Sequence, residues 1–316
     1  MSEQQTAIVF PGQGCQRSGM GQEFHTAFPV AKQAYDEASE AAGLDLARLC
    51  FEDDERLGLT EYAQPAILTT EIAMLRALRA EFGLAATYYG GHSLGEYAAL
   101  VAADALPLGV AVRLVRERGR LMQDAVPVGR GRMVAVIGHG LDEDVLTEAI
   151  DGLEVGVAND NSREQVVLSG LADDTRAAER WLTALLDGSP PRFVELDVSA
   201  PFHSTLMATI EDSYAAALQS ERASFDAERA TRVTSNFGGG FHSGNLDELI
   251  GCLVRQISGT VRWRANMEAL VDRCDRVIEV GPGRPLRAFF KTVGVAVDTV
   301  TSVRSAEKLS VGAAPC

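Results

Sequence analysis

The 316-residue sequence has no long hydrophobic run, no excess of positive charge and no paired-cysteine pattern. No apolar stretch reaches the roughly 18 residues of a membrane span, and the first residues lack the basic and apolar segments of a secretory signal. The net charge of −15 argues against a nucleic-acid partner held by bulk electrostatics. Five scattered cysteines without CxxC spacing indicate no zinc site and favour reduced thiols in the cytoplasm.

Strands and helices alternate in the first part of the chain. "TAIVF" (6–10) predicts a strand that stops at the turn "PGQG", and "TYYGGHS" predicts a second strand. Helices are expected over 95–102 and 108–124. This alternation is typical of a parallel α/β core.

The pattern changes after residue 128. Residues 129–198 read as βαββαβ, the order of a ferredoxin-like subdomain. We expect it to be inserted into a large α/β domain made of residues 1–128 and 199–306, with 307–316 as a flexible tail. Within the second part of the large domain, "ATRVTSN" (230–236) is expected as a strand, "RVIEV" as the final strand and "RPLRAFFKTV" as the last helix.

The stretch "GGHSLGEYAAL" places a serine between glycines just before a helix. One interpretation is a plain turn in which Ser93 caps the helix. The other is a nucleophile elbow, in which Gly91 and Gly95 permit a tight turn that projects the hydroxyl. The backbone amide of Leu94 could then donate to an oxyanion, and the amide of Gln13, in the glycine turn after the first strand, could supply the second donor.

A serine nucleophile needs a base, and the chain has five histidines. His203, in "SAPFHS", lies where a side chain can project into a cleft. His92 lies inside the elbow and is expected to point away from its neighbour's hydroxyl. The other three, in polar stretches, are expected at the surface: His25, His139 and His242.

Taken together, these motifs make the sequence resemble the malonyl-CoA:acyl-carrier-protein transacylases, including the free-standing acyltransferases that serve polyketide synthases. The matching segments occur in the family's order over nearly the whole chain. They are "FPGQG", "YAQPAIL", "GHSLGEYAAL", "VRERGRLMQ", "NDNSREQVVLSG", "VSAPFHSTLM", "LVRQISGTVRW" and "IEVGPGRPL". The resemblance implies an α/β-hydrolase-like parallel-sheet core with an inserted ferredoxin-like subdomain.

The resemblance also implies a ping-pong mechanism without cofactor or metal. Ser93, activated by His203, would take malonyl from coenzyme A and pass it to the phosphopantetheine thiol of an acyl carrier protein. The amides of Gln13 and Leu94 would form the oxyanion hole, and the backbone carbonyl of Gln256 would orient the histidine. Asp160 and Asp197 are the alternatives for that third position.

Arg118 is implied to grip the free carboxylate of malonyl and to reject acyl groups without one. Its neighbours on the helix are expected to be solvated: Arg113, Arg116 and Arg120. Phe202 is implied to crowd the space that a 2-methyl substituent would need. Gln64 and Asn159 match polar cleft positions, although both could equally be turn or cap residues.

Three basic residues follow the "VGPG" turn: Arg284, Arg287 and Lys291. They could meet the phosphates of coenzyme A or an acidic carrier protein, or lie on a solvated helix. Two other functions stay open: a hydrolase that clears acyl groups from carrier proteins, and an inactive docking subunit. The sequence leaves open whether the carrier serves fatty-acid or polyketide synthesis.

Overall fold

The computed structural model describes residues 5–127 and 129–311. Within these ranges the strands are β1 (Thr6–Phe10), β2 (Tyr88–Gly91), β3 (Gly131–Ile137), β4 (Val155–Ser162), β5 (Gln165–Leu171), β6 (Arg192–Glu195), β7 (Arg276–Val280) and β8 (Val297–Val300). The helices are α1 (Gln22–Ala27), α2 (Pro29–Ala42), α3 (Leu46–Phe51), α4 (Thr60–Phe82), α5 (Gly95–Ala102), α6 (Leu108–Asp124), α7 (Glu143–Ile150), α8 (Ala172–Leu185), α9 (Glu211–Ser220), α10 (Ala227–Ala230), α11 (Leu246–Arg255), α12 (Trp263–Val271), α13 (Leu286–Thr292) and α14 (Val303–Val311). Short 3-10 helices cover Glu55–Gly58, Thr205–Ile210 and Arg222–Ser224.

The larger sheet is parallel and has the order β2-β1-β7-β8. Its central strand β1 is almost wholly buried, as expected for a strand covered on both faces. Helices α2, α4 and α6 pack against one another beside it and contribute most of the alanine- and leucine-rich core. The α/β fold class predicted from the sequence is confirmed.

The smaller sheet is antiparallel and has the order β4-β5-β3-β6. With helices α7 and α8 it gives the strand order of the ferredoxin-like fold. The side chains of β3 alternate, as the pleat of a strand requires. Val134 and Val136 pack with the helices, whereas Met133, Ala135 and Ile137 line a cleft against the large sheet. The subdomain boundaries themselves stay a prediction.

Four expectations about the later chain are wrong. Residues 230–236 form only isolated bridges, at Val233 and Thr234, because the chain turns back at once through the glycine-rich loop. A further strand, β8, follows α13 and pairs with β7 at the sheet edge. A further helix, α14, follows β8, so α13 is not the last helix; α14 covers 307–311, half of the expected tail, because the Ser302 hydroxyl accepts from the amide of Ser305 and buried Ala306 anchors the turn. The rest of that tail, 312–316, lies outside the described residues.

In the described part of the chain, no helix is long and apolar enough to cross a membrane.

Candidate active site

The candidate site lies where β1 and β2 end. These neighbouring strands run parallel, with Phe10 opposite Gly91, so the loops that follow them leave the sheet at the same edge. Ligands of open α/β sheets bind at this edge. The amide of His92 donates to the carbonyl of Phe10 at 3.0 Å, which holds the two loops side by side.

The serine turn has the geometry of a nucleophile elbow. Ser93 has φ of 52°, in the left-handed region that a residue with a side chain seldom adopts. A Cβ on Gly91 would lie 1.9 Å from the carbonyl oxygen of Gly95, and one on Gly95 would lie 2.3 Å from that of Phe10. Both glycines are therefore required by close backbone approach, which favours the elbow over a plain capped turn.

Ser93 and His203 are in contact although 110 residues separate them. Ser93 Oγ lies 2.7 Å from His203 Nε2, and His203 Nδ1 lies 2.7 Å from the backbone oxygen of Gln256. A carbonyl only accepts, so Nδ1 carries the proton and Nε2 offers a lone pair to the hydroxyl. Asp160 instead pairs with Arg264, whereas the backbone oxygen of Gln256 contacts the ring at the third position.

His203 is buried and is held as a neutral base. Burial, and after it the nearby charge of Arg118, lower its pKa to about 3. Like Ser93, it has a positive φ, of 57°. At neutral pH the ring is therefore free to accept a proton from the serine.

Arg118 is a buried cation beside the serine. Its side chain is 1% exposed, and it donates to Ser93 Oγ at 3.2 Å and to the side-chain oxygens of Gln64 at 3.0 Å and Gln256 at 2.8 Å. Its Nε has no partner, and no carboxylate pairs with it among the residues the structure describes. A buried cation without a directly paired carboxylate is costly, so the arrangement favours an anionic ligand.

The other arginines of α6 differ from Arg118 in this respect. Arg113 pairs with Glu221, Arg116 with Glu61, and Arg120 with residues of its own helix. Each is partly exposed, as expected for a solvated helix face. Only Arg118 of the four faces the cleft.

The oxyanion-hole candidates flank the serine. Gln13 and Leu94 both line the cleft, and neither backbone amide donates to a protein acceptor within the described ranges. Gln13 is fixed by its side chain, which donates to the hydroxyl of Thr60 at 3.1 Å. Two free amides beside a nucleophile can stabilise a developing oxyanion, aided for Leu94 by the N-terminus of α5.

These residues open into a cavity of about 430 Å³ between the two sheets. Gln64, Asn159 and Phe202 line it, together with Arg192 on the side of the small sheet. Gln64 and Asn159 are buried, so neither is a mere surface turn residue. A cavity of this volume is in the range of sites for small organic ligands.

The remaining histidines lie apart from the serine hydroxyl. His92 Nε2 bonds Asn161 at 2.8 Å, His139 is exposed and His25 is half-buried. His242 was expected at the surface, and this expectation is wrong. It is 7% exposed because its ring packs inward to meet the buried carboxylate of Glu96 at 2.9 Å.

Sequence reasoning missed the residues that support this geometry. Asn236 bonds both Gly91 and Ser93, and Glu96 bonds Asn236 in turn. Glu96 stands in the serine motif itself, but its partners Asn236 and His242 lie 140 and 146 positions further along the chain. No motif pointed to Asn236, because it was expected to be an ordinary residue of a strand over 230–236.

Groups of three or more potential metal ligands are lacking within the described residues.

The chain matches known proteins over nearly its full length. The family model of the acyl transferase domain covers residues 7–288. A malonyl CoA-acyl carrier protein transacylase of Bacillus subtilis is 38% identical over 302 residues, which are 93% of this chain and 92% of that protein. The crystal structure of such a transacylase from Clostridium perfringens is 33% identical with a TM-score of 0.89, over 98% of this chain and 96% of that one.

A second solved structure holds a malonyl-transacylase in complex with its type II polyketide synthase acyl-carrier protein. It is 34% identical to this chain with a TM-score of 0.87, and the match covers 98% of this chain and 99% of that one.

Proposed function

The chain belongs to the acyl transferase family, and we propose that it moves a malonyl group from coenzyme A to the phosphopantetheine thiol of an acyl carrier protein through Ser93 and His203. It is an acyl-carrier-protein S-malonyltransferase of the kind its relatives are named for. The carrier belongs to fatty-acid or polyketide synthesis. The observation that carries the residue assignment is Arg118, a buried cation that pairs with no carboxylate of the described residues and lies 3.2 Å from the serine hydroxyl.

In the first half-reaction His203 Nε2 takes the Ser93 proton as Oγ attacks the thioester carbonyl. The oxyanion that forms accepts hydrogen bonds from the amides of Gln13 and Leu94. Its collapse breaks the C–S bond, and the departing sulfur of coenzyme A takes the proton from the imidazolium. The product is a malonyl ester on Ser93.

The second half-reaction reverses these roles. The carrier thiol gives its proton to His203, and its sulfur attacks the ester carbonyl. Collapse breaks the bond to Ser93, whose oxygen takes the proton back. Protons and electrons balance in both halves, so the proposal includes no cofactor and no metal.

Arg118 sets the choice of acyl group in this proposal. The guanidinium pairs with the distal carboxylate of malonyl, which an acetyl group lacks. Gln64 and Asn159 line the acyl site beside it, and the ring of Phe202 occupies the space next to C2. Malonyl is therefore favoured over both acetyl and methylmalonyl.

The basic residues at the cleft rim are proposed to meet the donor or the carrier. Arg284, Arg287 and Lys291 are exposed, and they flank Pro285, Leu286 and Phe289, which line the cavity. On a protein of net charge −15, local cations of this kind would hold the phosphates of coenzyme A or an acidic carrier. A cytoplasmic location is part of the proposal and rests on the odd number of scattered cysteines.

The test is covalent labelling followed by mass spectrometry. Incubation with malonyl-CoA should add one malonyl group to the wild type and none to Ser93→Ala, whereas acetyl-CoA should label poorly. Ser169→Ala is the matched control, because this buried serine lies on β5 and its hydroxyl has no partner in the described structure. Labelling of Ser93→Ala, or equal labelling by both thioesters, would contradict the proposal. Release of malonate to water faster than transfer to added carrier would favour the hydrolase.

A further inference from the structure

A buried carboxylate lies directly behind the candidate active site. Glu96, the second residue of α5, is 1% exposed. Its Oε1 accepts from His242 Nε2 at 2.9 Å, and its Oε2 accepts from Gln256 Nε2 at 2.6 Å and from the backbone amide and Nδ2 of Asn236 at 3.0 and 2.6 Å. A carboxylate only accepts, so each of these four nitrogen atoms must present an N–H group to it.

One partner of Glu96 holds the strained turn. Asn236 Nδ2 also donates to the carbonyl of Gly91 at 2.8 Å, and its Oδ1 accepts from the amide of Ser93 at 3.3 Å. The side-chain amide of Asn236 thus bridges the backbone of Gly91 and Ser93, on either side of His92 in the serine turn. Its orientation is fixed, because the Nδ2 end must face Glu96.

A second partner, Gln256, contacts all three residues assigned to the reaction. Its backbone oxygen bonds His203, its side-chain oxygen accepts from Arg118, and its Nε2 donates to the carbonyl of Ser93 at 3.2 Å. The Gln256 side chain has two possible orientations. Glu96 selects the orientation that turns Oε1 toward Arg118. In the reverse orientation the NH₂ group of Gln256 would face the N–H groups of Arg118, and its oxygen would face the carboxylate of Glu96.

We propose that Glu96 is a positioning residue for this site. By accepting only, it fixes the polarity of the Gln256 and Asn236 amides, and through Gln256 it aims the Arg118 guanidinium at the acyl site. Its negative charge also lies one side chain away from the buried Arg118, and it offsets that charge without pairing with it directly. The guanidinium therefore stays available for a substrate carboxylate. This inference rests on the proposed function of Ser93, His203 and Arg118.

Glu96→Gln tests the proposal, because it keeps the shape and sets an NH₂ group against one of the four donors. We expect the rate of acylation by malonyl-CoA to fall about 10- to 100-fold, as for a buried polar group left unpaired. We also expect the preference for malonyl over acetyl to fall at least several-fold, because Arg118 loses its aim. Loss of stability alone would slow both thioesters equally, so an unchanged preference, or a wild-type rate, would overturn the proposal.

Two further variants keep the test decisive. Tyr35→Phe, the control, removes a buried hydroxyl that bonds Thr70 elsewhere in the core, and it should leave the preference unchanged. Gln256→Met keeps the backbone carbonyl for His203 but removes the amide between Arg118 and Glu96. It should reproduce the loss of preference even if Glu96→Gln does not fold; an unchanged preference in this variant would overturn the proposal. Failure of the wild type to form a malonyl adduct would instead count against the proposed function.

Discussion

One wall of the cleft carries a conformationally strained polar network, whereas the opposite wall is mostly apolar, with Asn159, Asn161, Gln165 and Arg192 as its polar members. The first belongs to the large sheet and carries Ser93, His203 and Arg118 within one hydrogen-bond network. The second is the open face of the small sheet, with Met133, Ala135 and other aliphatic side chains in regular strands. Among the described residues, the non-glycine residues with positive φ are Ser93, Asp104 and His203, and all three lie outside the small sheet. We expect the polar wall to determine the chemistry and the apolar wall to determine the shape of the acyl site.

The largest effect is expected from Arg118→Ala on the polar wall. Acylation by malonyl-CoA should fall about 100- to 1,000-fold, because the carboxylate would be buried without a partner. Acylation by acetyl-CoA should fall far less. The measurement is the rate of adduct formation with each thioester.

Arg113→Ala provides the control on the same helix, since Arg113 pairs with Glu221 at the surface. It should change neither rate appreciably. Comparable rates of malonyl transfer by Arg118→Ala and the wild type would contradict the proposed role of Arg118.

A smaller effect is expected from Phe202→Ser, where the polar wall meets the acyl group. Removing the ring should raise the ratio of methylmalonyl to malonyl transfer by about 10- to 100-fold, the usual range for discrimination by size. Competition between the two thioesters for a limiting amount of carrier measures this ratio directly. An unchanged ratio would mean that other side chains exclude the methyl group.

The pH dependence of the serine offers a subtler test of the polar wall. The imidazole accepts a proton only when neutral, so reactivity is retained above its pKa and lost below it. With the pKa of His203 lowered to about 3, reaction with a neutral sulfonyl fluoride should keep one rate from pH 8 down to pH 5. In Arg118→Ala the loss should begin at a higher pH, because the cation no longer lowers that pKa. A wild-type rate that halves near pH 6.5 would contradict this.

The smallest effect is expected on the apolar wall. Val194→Ala removes two methyl groups from a half-buried side chain of β6 that lines the cavity. We expect KM for malonyl-CoA to rise about three- to tenfold with kcat unchanged, from the lost apolar contact alone. Steady-state kinetics separate the two constants. A fall in kcat as large as that of Arg118→Ala would abolish the contrast between the walls.

The polar wall was also the more predictable from sequence. Ser93, His203, Arg118 and the carbonyl of Gln256 were identified through motifs, and the structure brings them into one cleft. The apolar run of β3 and the helical period of α6 likewise predicted those elements.

What could not be predicted depends on partners distant in the chain. His242 and Glu96 are 146 positions apart, and each alone resembles a surface residue. Val233 and Thr234 have the β-branched composition of a strand, yet the turn after them leaves only isolated bridges. Helix α14 begins at a cap formed by Ser302, and the polar sequence that follows it gives no clear helical pattern.

Both residues of the 2.7 Å contact between Ser93 and His203 adopt the left-handed backbone conformation. That conformation costs about 1–2 kcal/mol for a residue with a side chain. Replacing Ser93 by glycine should therefore give an inactive protein that melts at a higher temperature than Ser93→Ala, since both lack the hydroxyl and only alanine keeps the clash. If the two melt together, the turn costs the fold nothing; if they differ, the proposed nucleophile holds its backbone conformation at the expense of thermal stability.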